Sequence, residues 1–509
     1  MYVEHALIKP RSIVERDYQI ALANSCLKDP TLLVLPTGLG KTVIALRVAA
    51  EILHTKGGKV LFLAPTKPLV AQIASYFNEH LIGAPVGILT GDRLPSKRKD
   101  IWSQSDVLVA TPQSIANDLE NAYIDLEKVS LIIYDEAHRA VGNYAYVNVA
   151  KHEHNALVLG MTASPGATRE RIITVCNNLG IESLEWRNDD DEDVVPHIHD
   201  MDIEVIEVEP PEYMLEVQDL LQRLQNSSIN FLVKMRFMKS GHPATIPYLL
   251  QVEKNIQSRF KRGASGYLFR AMSANAAAMK VAHAIELAGR QSTFALNKYI
   301  EKLKQEGESK GGSRASKQLA KSTELYDIEK LLENADEHPK MKVIDRLVRN
   351  QLLKDPSSKV IIFTNYRDSC DAVVELISSI PGIGVDRLVG QTNRGRDQGQ
   401  SQDEQVEVLE RLRNGSISVI VATCIGEEGL DVANTDLVIF YEPVPSEIRS
   451  IQRRGRTGRS RAGQVIILVT AGTRDEASLI ASERKERMMH RHLENIRRQD
   501  ILSSSLMSN

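Results

Sequence analysis

Cysteine is scarce in this chain: Cys26, Cys176, Cys370 and Cys424 are its four thiols, and no two lie close in sequence. That scatter excludes a disulfide framework and offers no metal-ligand spacing, so the thiols read as small buried hydrophobes of a reducing compartment. No apolar run approaches the roughly 20 residues needed to span a bilayer. The opening Met-Tyr-Val-Glu-His begins no signal peptide, and a soluble, cytoplasmic protein is expected. An excess of one charge is also missing. With 63 Lys and Arg against 66 Asp and Glu the net charge is −3, so any surface for an anionic polymer must be local. The acidic run Asp189–Asp193 reads as a solvated loop at a domain edge. Hydrophobic residues at 42% and charged residues at 25% are ordinary for a globular chain. A length of 509 residues suggests roughly three domains, each with its own core.

What is present begins at Leu32–Leu35, a short apolar run followed by Pro36, Thr37, Gly38, Leu39, Gly40, Lys41 and Thr42, and then by the helix-periodic Val43–Leu46. The order is strand, phosphate loop, helix. Glycines let backbone N–H groups curl around an anion, and the helix N-terminus adds its positive end. Lys41 is placed to reach the β- and γ-phosphates of ATP and Thr42 to hold Mg²⁺. The general pattern has Gly where this chain has Leu35, its one departure.

Further β-rich runs follow at Val60–Leu63, Val86–Leu89, Val107–Ala110, Leu131–Tyr134 and Ala156–Leu159, separated by helical patterns such as Val43–His54 and Pro68–Glu79. Most are apolar on both alternations, as strands covered on both faces of a parallel sheet must be. Ligands of such sheets gather at the carboxyl ends of the strands. There the sequence places Asp135 and Glu136, followed by Ala137 and His138. A strand-end Asp can hold Mg²⁺, and a Glu beside it can polarise the water that attacks a γ-phosphate.

A phosphate loop followed by Asp-Glu-Ala-His resembles the superfamily 2 helicases and translocases. Further residues match that family in order. Arg16 to Gln19 resembles the Q motif, whose Gln reads the adenine edge. Pro65, Thr66 and Lys67 resemble motif Ia, Gly91 motif Ic, and Thr111 motif Ib, turns that in the family grip one strand by its phosphates. Thr162 to Ser164 resembles motif III, which with His138 couples ATP to the nucleic acid. The resemblance implies two RecA-like parallel-sheet motor domains of α/β class.

From about Glu212 to about Glu333 the chain reads helical, with Gln305–Ser316 expected as a flexible loop. A helical insert of this size between α/β halves resembles one subgroup, archaeal Hef with its relative FANCM and, more distantly, the RIG-I-type RNA sensors. Basic residues in it, Lys261 and Arg262 among them, suggest a thumb-like clamp on duplex or branched nucleic acid. The expected division is residues 1–205 for the first motor domain, 206–338 for the insert and 339–509 for the second motor domain.

The α/β rhythm returns with Lys359–Phe363, Asp386–Val389, Ser418–Ala422, Leu437–Tyr441 and Gln464–Val469. By resemblance, Thr364, Asn365, Gly390, Gln391 and Thr423 grip nucleic acid, while Gly429 and Asp431 of motif V face the nucleotide. Gln452, Arg456 and Arg459 match motif VI. A loose transition state spreads charge over the γ-phosphoryl oxygens, which suits planar, permanently charged guanidinium groups. Arg456 and Arg459 are therefore assigned as arginine fingers, with Gln452 near the attacking water.

Hef relatives often carry a nuclease marked Glu-Arg-Lys-x-x-x-Asp. Glu483, Arg484 and Lys485 are present, but Met489 stands at the Asp position, so Ala481–Arg498 reads as a charged helix packed on the motor. A separately encoded nuclease or a replication clamp is the partner this suggests. The expectation is an ATP-dependent DNA helicase or translocase of forks and branched junctions, in repair and stalled-fork processing. A duplex-RNA-stimulated ATPase and a non-catalytic scaffold on branched DNA stand as alternatives.

Overall fold

The computed structural model describes residues 2–36, 38–188, 191–197, 202–261, 263, 265–390, 399–423, 435–443 and 464–499. In them, short apolar runs form two wholly parallel sheets. The first comprises β1 (Thr31–Val34), β2 (Lys59–Leu63), β3 (Val86–Leu89), β4 (Val107–Ala110), β5 (Val129–Asp135), β6 (Leu157–Thr162) and β7 (Ser183–Trp186), in the order β3-β4-β2-β5-β6-β1-β7. The period of two decides which core each residue joins. Leu32, Leu61 and Ile132 face one helical layer, and Leu33, Val60 and Ile133 face the other. β7 is one strand more than the sequence signalled, because its alternation Ser-Leu-Glu-Trp is that of a half-exposed edge.

The second sheet comprises β8 (Asp202–Val208), β9 (Val360–Thr364), β10 (Val385–Leu388), β11 (Val419–Thr423), β12 (Leu437–Phe440) and β13 (Gln464–Thr470), in the order β10-β11-β9-β12-β13-β8. β8 corrects the expected domain boundary. It pairs with β13 from Asp202↔Gln464 to Val208↔Thr470, so residue 205 lies inside a strand of the second lobe. The chain enters the second lobe, leaves it for the insert and returns at the helix Pro339–Lys354. Nothing in a strand's own residues names a parallel neighbour so remote in sequence.

The insert is helical throughout its described elements, from Glu212–Lys234 to Thr323–Glu333. The loop expected over Gln305–Ser316 is shorter than its glycines suggested. One helix runs to Glu308 and the next starts at Arg314. Gly307 belongs to the first of them: a Cβ there would stand 2.5 Å from both the Ala320 Cβ and the Ser316 carbonyl, so it serves close helix packing rather than a turn.

A buried charge cluster fastens insert to second lobe. Asp475 accepts from Arg290 Nε (2.7 Å), Lys340 Nζ (2.5 Å) and the Thr470 amide (3.1 Å). Lys340 and Asp475 are both fully buried, and burial pulls the Lys340 pKa down while Asp475 opposes it. Asp475→Ala leaves that ammonium without its partner, a loss of about 3–5 kcal/mol for a broken buried pair. The expected result is a large fall in the denaturation midpoint, partly recovered by Asp475→Ala/Lys340→Met. Equal midpoints for Asp475→Ala and wild type would show that the cluster does not stabilise the lobe.

From Arg474 to Gln499 the C-terminal helix crosses back to the first lobe. Met489, Leu493 and Ile496, on one face at helical spacing, complete the first-lobe core beside Leu179 and Trp186.

Candidate active site

The loop after β1 is shaped by its neighbours before any ligand arrives. Leu35 is fully buried and its amide still bonds the Thr162 carbonyl, so the loop proper begins one residue later than the general pattern requires. This explains why Gly is dispensable there. Gly40 caps the helix Lys41–Thr55 with φ +83°, and a Cβ on it would stand 2.4 Å from Gln19 Nε2. That side chain is buried against the loop: Gln19 Nε2 donates to the Leu39 carbonyl at 3.1 Å, and Tyr18 Oη donates to the same oxygen at 2.8 Å. Gln19 thus braces the phosphate loop, a role additional to the adenine contact expected of it. Lys41 Nζ donates to the Leu35 carbonyl at 2.8 Å. Thr37 lies outside the described residues.

β5 delivers the acidic pair. Asp135 ends the strand, with its carbonyl held by Tyr146 Oη. Glu136 follows in the left-handed region at φ +51°, a strained position for a non-glycine residue that turns the chain sharply at the carboxyl end of the central strand. Burial, with Glu136 beside it, raises the Asp135 pKa to about 7, against the pull of Lys41 and Arg139. Burial alone would raise Glu136 too. Its contact with His138, together with Lys41 and Arg139, outweighs that and holds it below the ordinary carboxylate range. Glu136 Oε2 is buried without a hydrogen-bond partner, 3.3 Å from His138 Nδ1. An acceptor without a donor and a carboxylate short of counter-charge fit a divalent cation with its waters.

The contacts continue past the carboxylates. His138 Nδ1 lies 3.0 Å from Thr162 Oγ1, which accepts from the Ser164 amide at 3.1 Å. Ser164 Oγ in turn donates to Met489 Sδ of the C-terminal helix at 2.9 Å. Met489 was legible in sequence as a residue standing where a nuclease has Asp. Its partnership with Leu493 and Ile496, four and seven positions on, is the signal that gives it this second place.

Arg16, Gln19, Gly38, Gly40, Lys41, Thr42, Asp135 and Glu136 line a single cleft of about 830 Å³. Gln72, Tyr76 and Glu79 extend it on the first lobe. Val406, Leu409 and Arg413, from the second-lobe helix Gln402–Arg413, close its far side. The second lobe therefore reaches the same cleft as the phosphate loop.

Three family models match in succession: the res subunit of type III restriction enzymes over residues 12–167, a helical bundle provisionally assigned to ATP-dependent RNA helicases over 213–338, and the helicase conserved C-terminal domain over 339–461. The helicase domain of Hef from Pyrococcus furiosus is 42% identical and superposes with a TM-score of 0.70, over 94% of this chain and 100% of that one. The chain belongs to the Hef and FANCM family of superfamily 2 helicases. A Methanocaldococcus jannaschii protein provisionally named an ATP-dependent RNA helicase is 38% identical over 97% of this chain and 63% of its own length. The ATP-dependent DNA helicase mph1 of Neurospora crassa is 32% identical over 91% of this chain and 41% of its own length. The chain thus spans less than two thirds of these curated relatives.

In this Hef-type chain the expected strand-gripping residues sit at carboxyl ends of strands. Pro65, Thr66 and Lys67 follow β2, Gly91 follows β3 and Thr111 follows β4. Thr66 and Thr111 each precede a helix without capping it by side chain. Lys67 pairs with Asp92. In the second lobe, Thr364 ends β9 and donates to the Tyr366 carbonyl at 3.1 Å, and the Asn365 amide donates to buried Glu442 at 2.5 Å. Glu442 was not anticipated: a lone Glu after a strand carries no pattern. The Gly390 carbonyl accepts from Arg367. Thr423 ends β11, its hydroxyl buried without a partner. Lys261 is exposed at the end of the helix Ile246–Phe260. Arg262, Gln391, Gly429, Asp431, Gln452, Arg456 and Arg459 lie outside the described residues. So does Cys424, whereas the thiols of Cys26, Cys176 and Cys370 are buried. No described helix is long and apolar enough to cross a membrane.

Proposed function

We propose that this chain is an ATP-hydrolysing DNA helicase or translocase that works where a duplex forks or branches, as repair and stalled-fork processing require. The observation that carries the reading is the cleft with Lys41, Asp135 and Glu136 on one wall and Val406, Leu409 and Arg413 of the other lobe opposite. A nucleotide between two lobes makes their closure depend on its phosphates, and hydrolysis lets them part. If each lobe holds one strand by its backbone, closing and opening advance the protein along that strand.

Within the site, Lys41 and the loop amides bind the β- and γ-phosphates. Glu136 orients and deprotonates the attacking water, and His138 keeps that carboxylate ionised. Asp135 and Thr42 would hold Mg²⁺, which when bound supplies positive charge to the phosphate oxygens. The contacts from Glu136 through His138, Thr162 and Ser164 to the C-terminal helix relay the state of the site to the second lobe. By the family resemblance, Arg456 and Arg459 would meet the developing charge and Gln452 the attacking water.

An RNA-directed motor is the second reading, favoured by the names given to the helical-bundle model and to the Methanocaldococcus jannaschii relative. Backbone grips do not separate the two, because only the 2′-hydroxyl does. Strand displacement and ATP hydrolysis on matched DNA and RNA forks decide between them. Unwinding of DNA forks, with blunt duplexes and RNA forks left intact, is expected. Turnover on RNA forks alone would transfer the function to RNA.

A further inference from the structure

One corner of the insert carries a surface that the ATP cycle does not use. Three chain segments meet there: the residues following Glu212–Lys234, the end of Ile246–Phe260 and the start of Gly266–Arg290. They stand over a core of their own, with Leu232, Ile256 and Leu268 among its members, to which neither lobe contributes. That core is filled without the outermost rings. Phe237 is buried, Arg259 covers one side of it at 4.5 Å, and Tyr267 lies near-parallel to it at 6.5 Å and 29°. Phe260 meets Phe269 edge-on at 4.9 Å. The outer members stay open to solvent, Tyr267 at 44% and Phe269 at 59%.

Exposed rings held by their neighbours, and unnecessary to the core beneath, mark a contact surface. Its charge says for what. Between residues 234 and 270 the chain has eight Lys and Arg against one carboxylate, Glu253, in a protein whose net charge is −3. Such a surface repels a second copy of itself and attracts phosphates. Rings add what phosphate contacts lack, a flat face for a base. Bases inside a duplex have no face to offer, whereas bases just beyond its open end do.

We infer that Tyr267 and Phe269 stack on unpaired bases where a duplex opens, while Arg259 and Lys261 hold the adjoining phosphates. This rests on the motor reading above and gives it a physical origin for preferring forks over blunt ends. DNA and RNA share this chemistry, and the test includes both.

The experiment titrates the full chain onto forks with 2-aminopurine at the first unpaired position, and onto blunt duplexes of equal length, in DNA and in RNA. Tyr267→Ala/Phe269→Ala should weaken fork binding about tenfold or more and abolish the stacking quench. Blunt-duplex affinity should stay within about twofold, since phosphate contacts remain. Tyr267→Phe/Phe269→Tyr, which keeps both rings, should retain fork binding and quench. A ring-dependent quench confined to RNA forks would identify RNA as the ligand. The inference is overturned by an intact quench in the alanine variant, by equal losses on fork and blunt duplex, or by a wild-type dimer that the alanine variant dissolves. ATP hydrolysis stimulated by single strand, measured on the same wild-type sample, keeps the two readings apart. Its absence beside a ring-dependent quench would sink the motor and leave the patch standing.

Discussion

Glu136→Gln is expected to slow ATP hydrolysis by about 10²–10⁴-fold, the reach of a positioned general base, while ATP and DNA stay bound. The substitution keeps the shape of the side chain and removes its basicity. It also leaves the left-handed backbone at this position and its place beside His138 sterically undisturbed. Binding should therefore survive where chemistry fails, which separates a base from a residue that merely holds the fold. Single-turnover hydrolysis together with equilibrium nucleotide and DNA binding makes the distinction. Turnover within a few fold of wild type would remove Glu136 from its role, and a parallel collapse of ATP binding would make it a structural residue.

How much of this could be read beforehand depends on how local each feature is. The phosphate loop, the acidic pair and most strands were legible because each is fixed by residues within a few positions: an apolar run, a glycine, a carboxylate at a strand end. What escaped was decided by partners far away. β8 belongs to the second lobe because β13 lies beside it. Gly307 looked like a loop residue, and the approach of Ala320 makes it a helix-packing one. Gln19 was expected at the adenine and is also bonded to the Leu39 carbonyl, which no local pattern indicates. Met489 is the sharpest case. Its place in a nuclease-like signature said only that the signature is broken and that a helix packs on the motor, whereas the helical spacing to Leu493 and Ile496 indicates which face makes the contact with the first lobe. Patterns with chemistry in them attract attention, while plain amphipathic spacing decided the packing.

The second large effect concerns the cations of the second lobe. Lys41 and Arg16 are the Lys and Arg side chains that the described first lobe brings to the cleft, and the Gln402–Arg413 helix already brings the second lobe to its rim. Two guanidinium groups arriving by closure would act chiefly in the transition state, because the ground state is already held by loop and lysine. Loss of either Arg456 or Arg459 is then expected to cost rate much more than affinity. The most direct measurement is single-turnover ATP hydrolysis by Arg456→Ala and Arg459→Ala on a DNA fork, with the nucleotide dissociation constant determined on the same samples. The expected result is a rate lower by about 10³-fold or more, with nucleotide affinity within a few fold of wild type. Hydrolysis near the wild-type rate in both variants, or a deficit fully accounted for by weaker ATP binding, would contradict a triphosphate shared between two lobes.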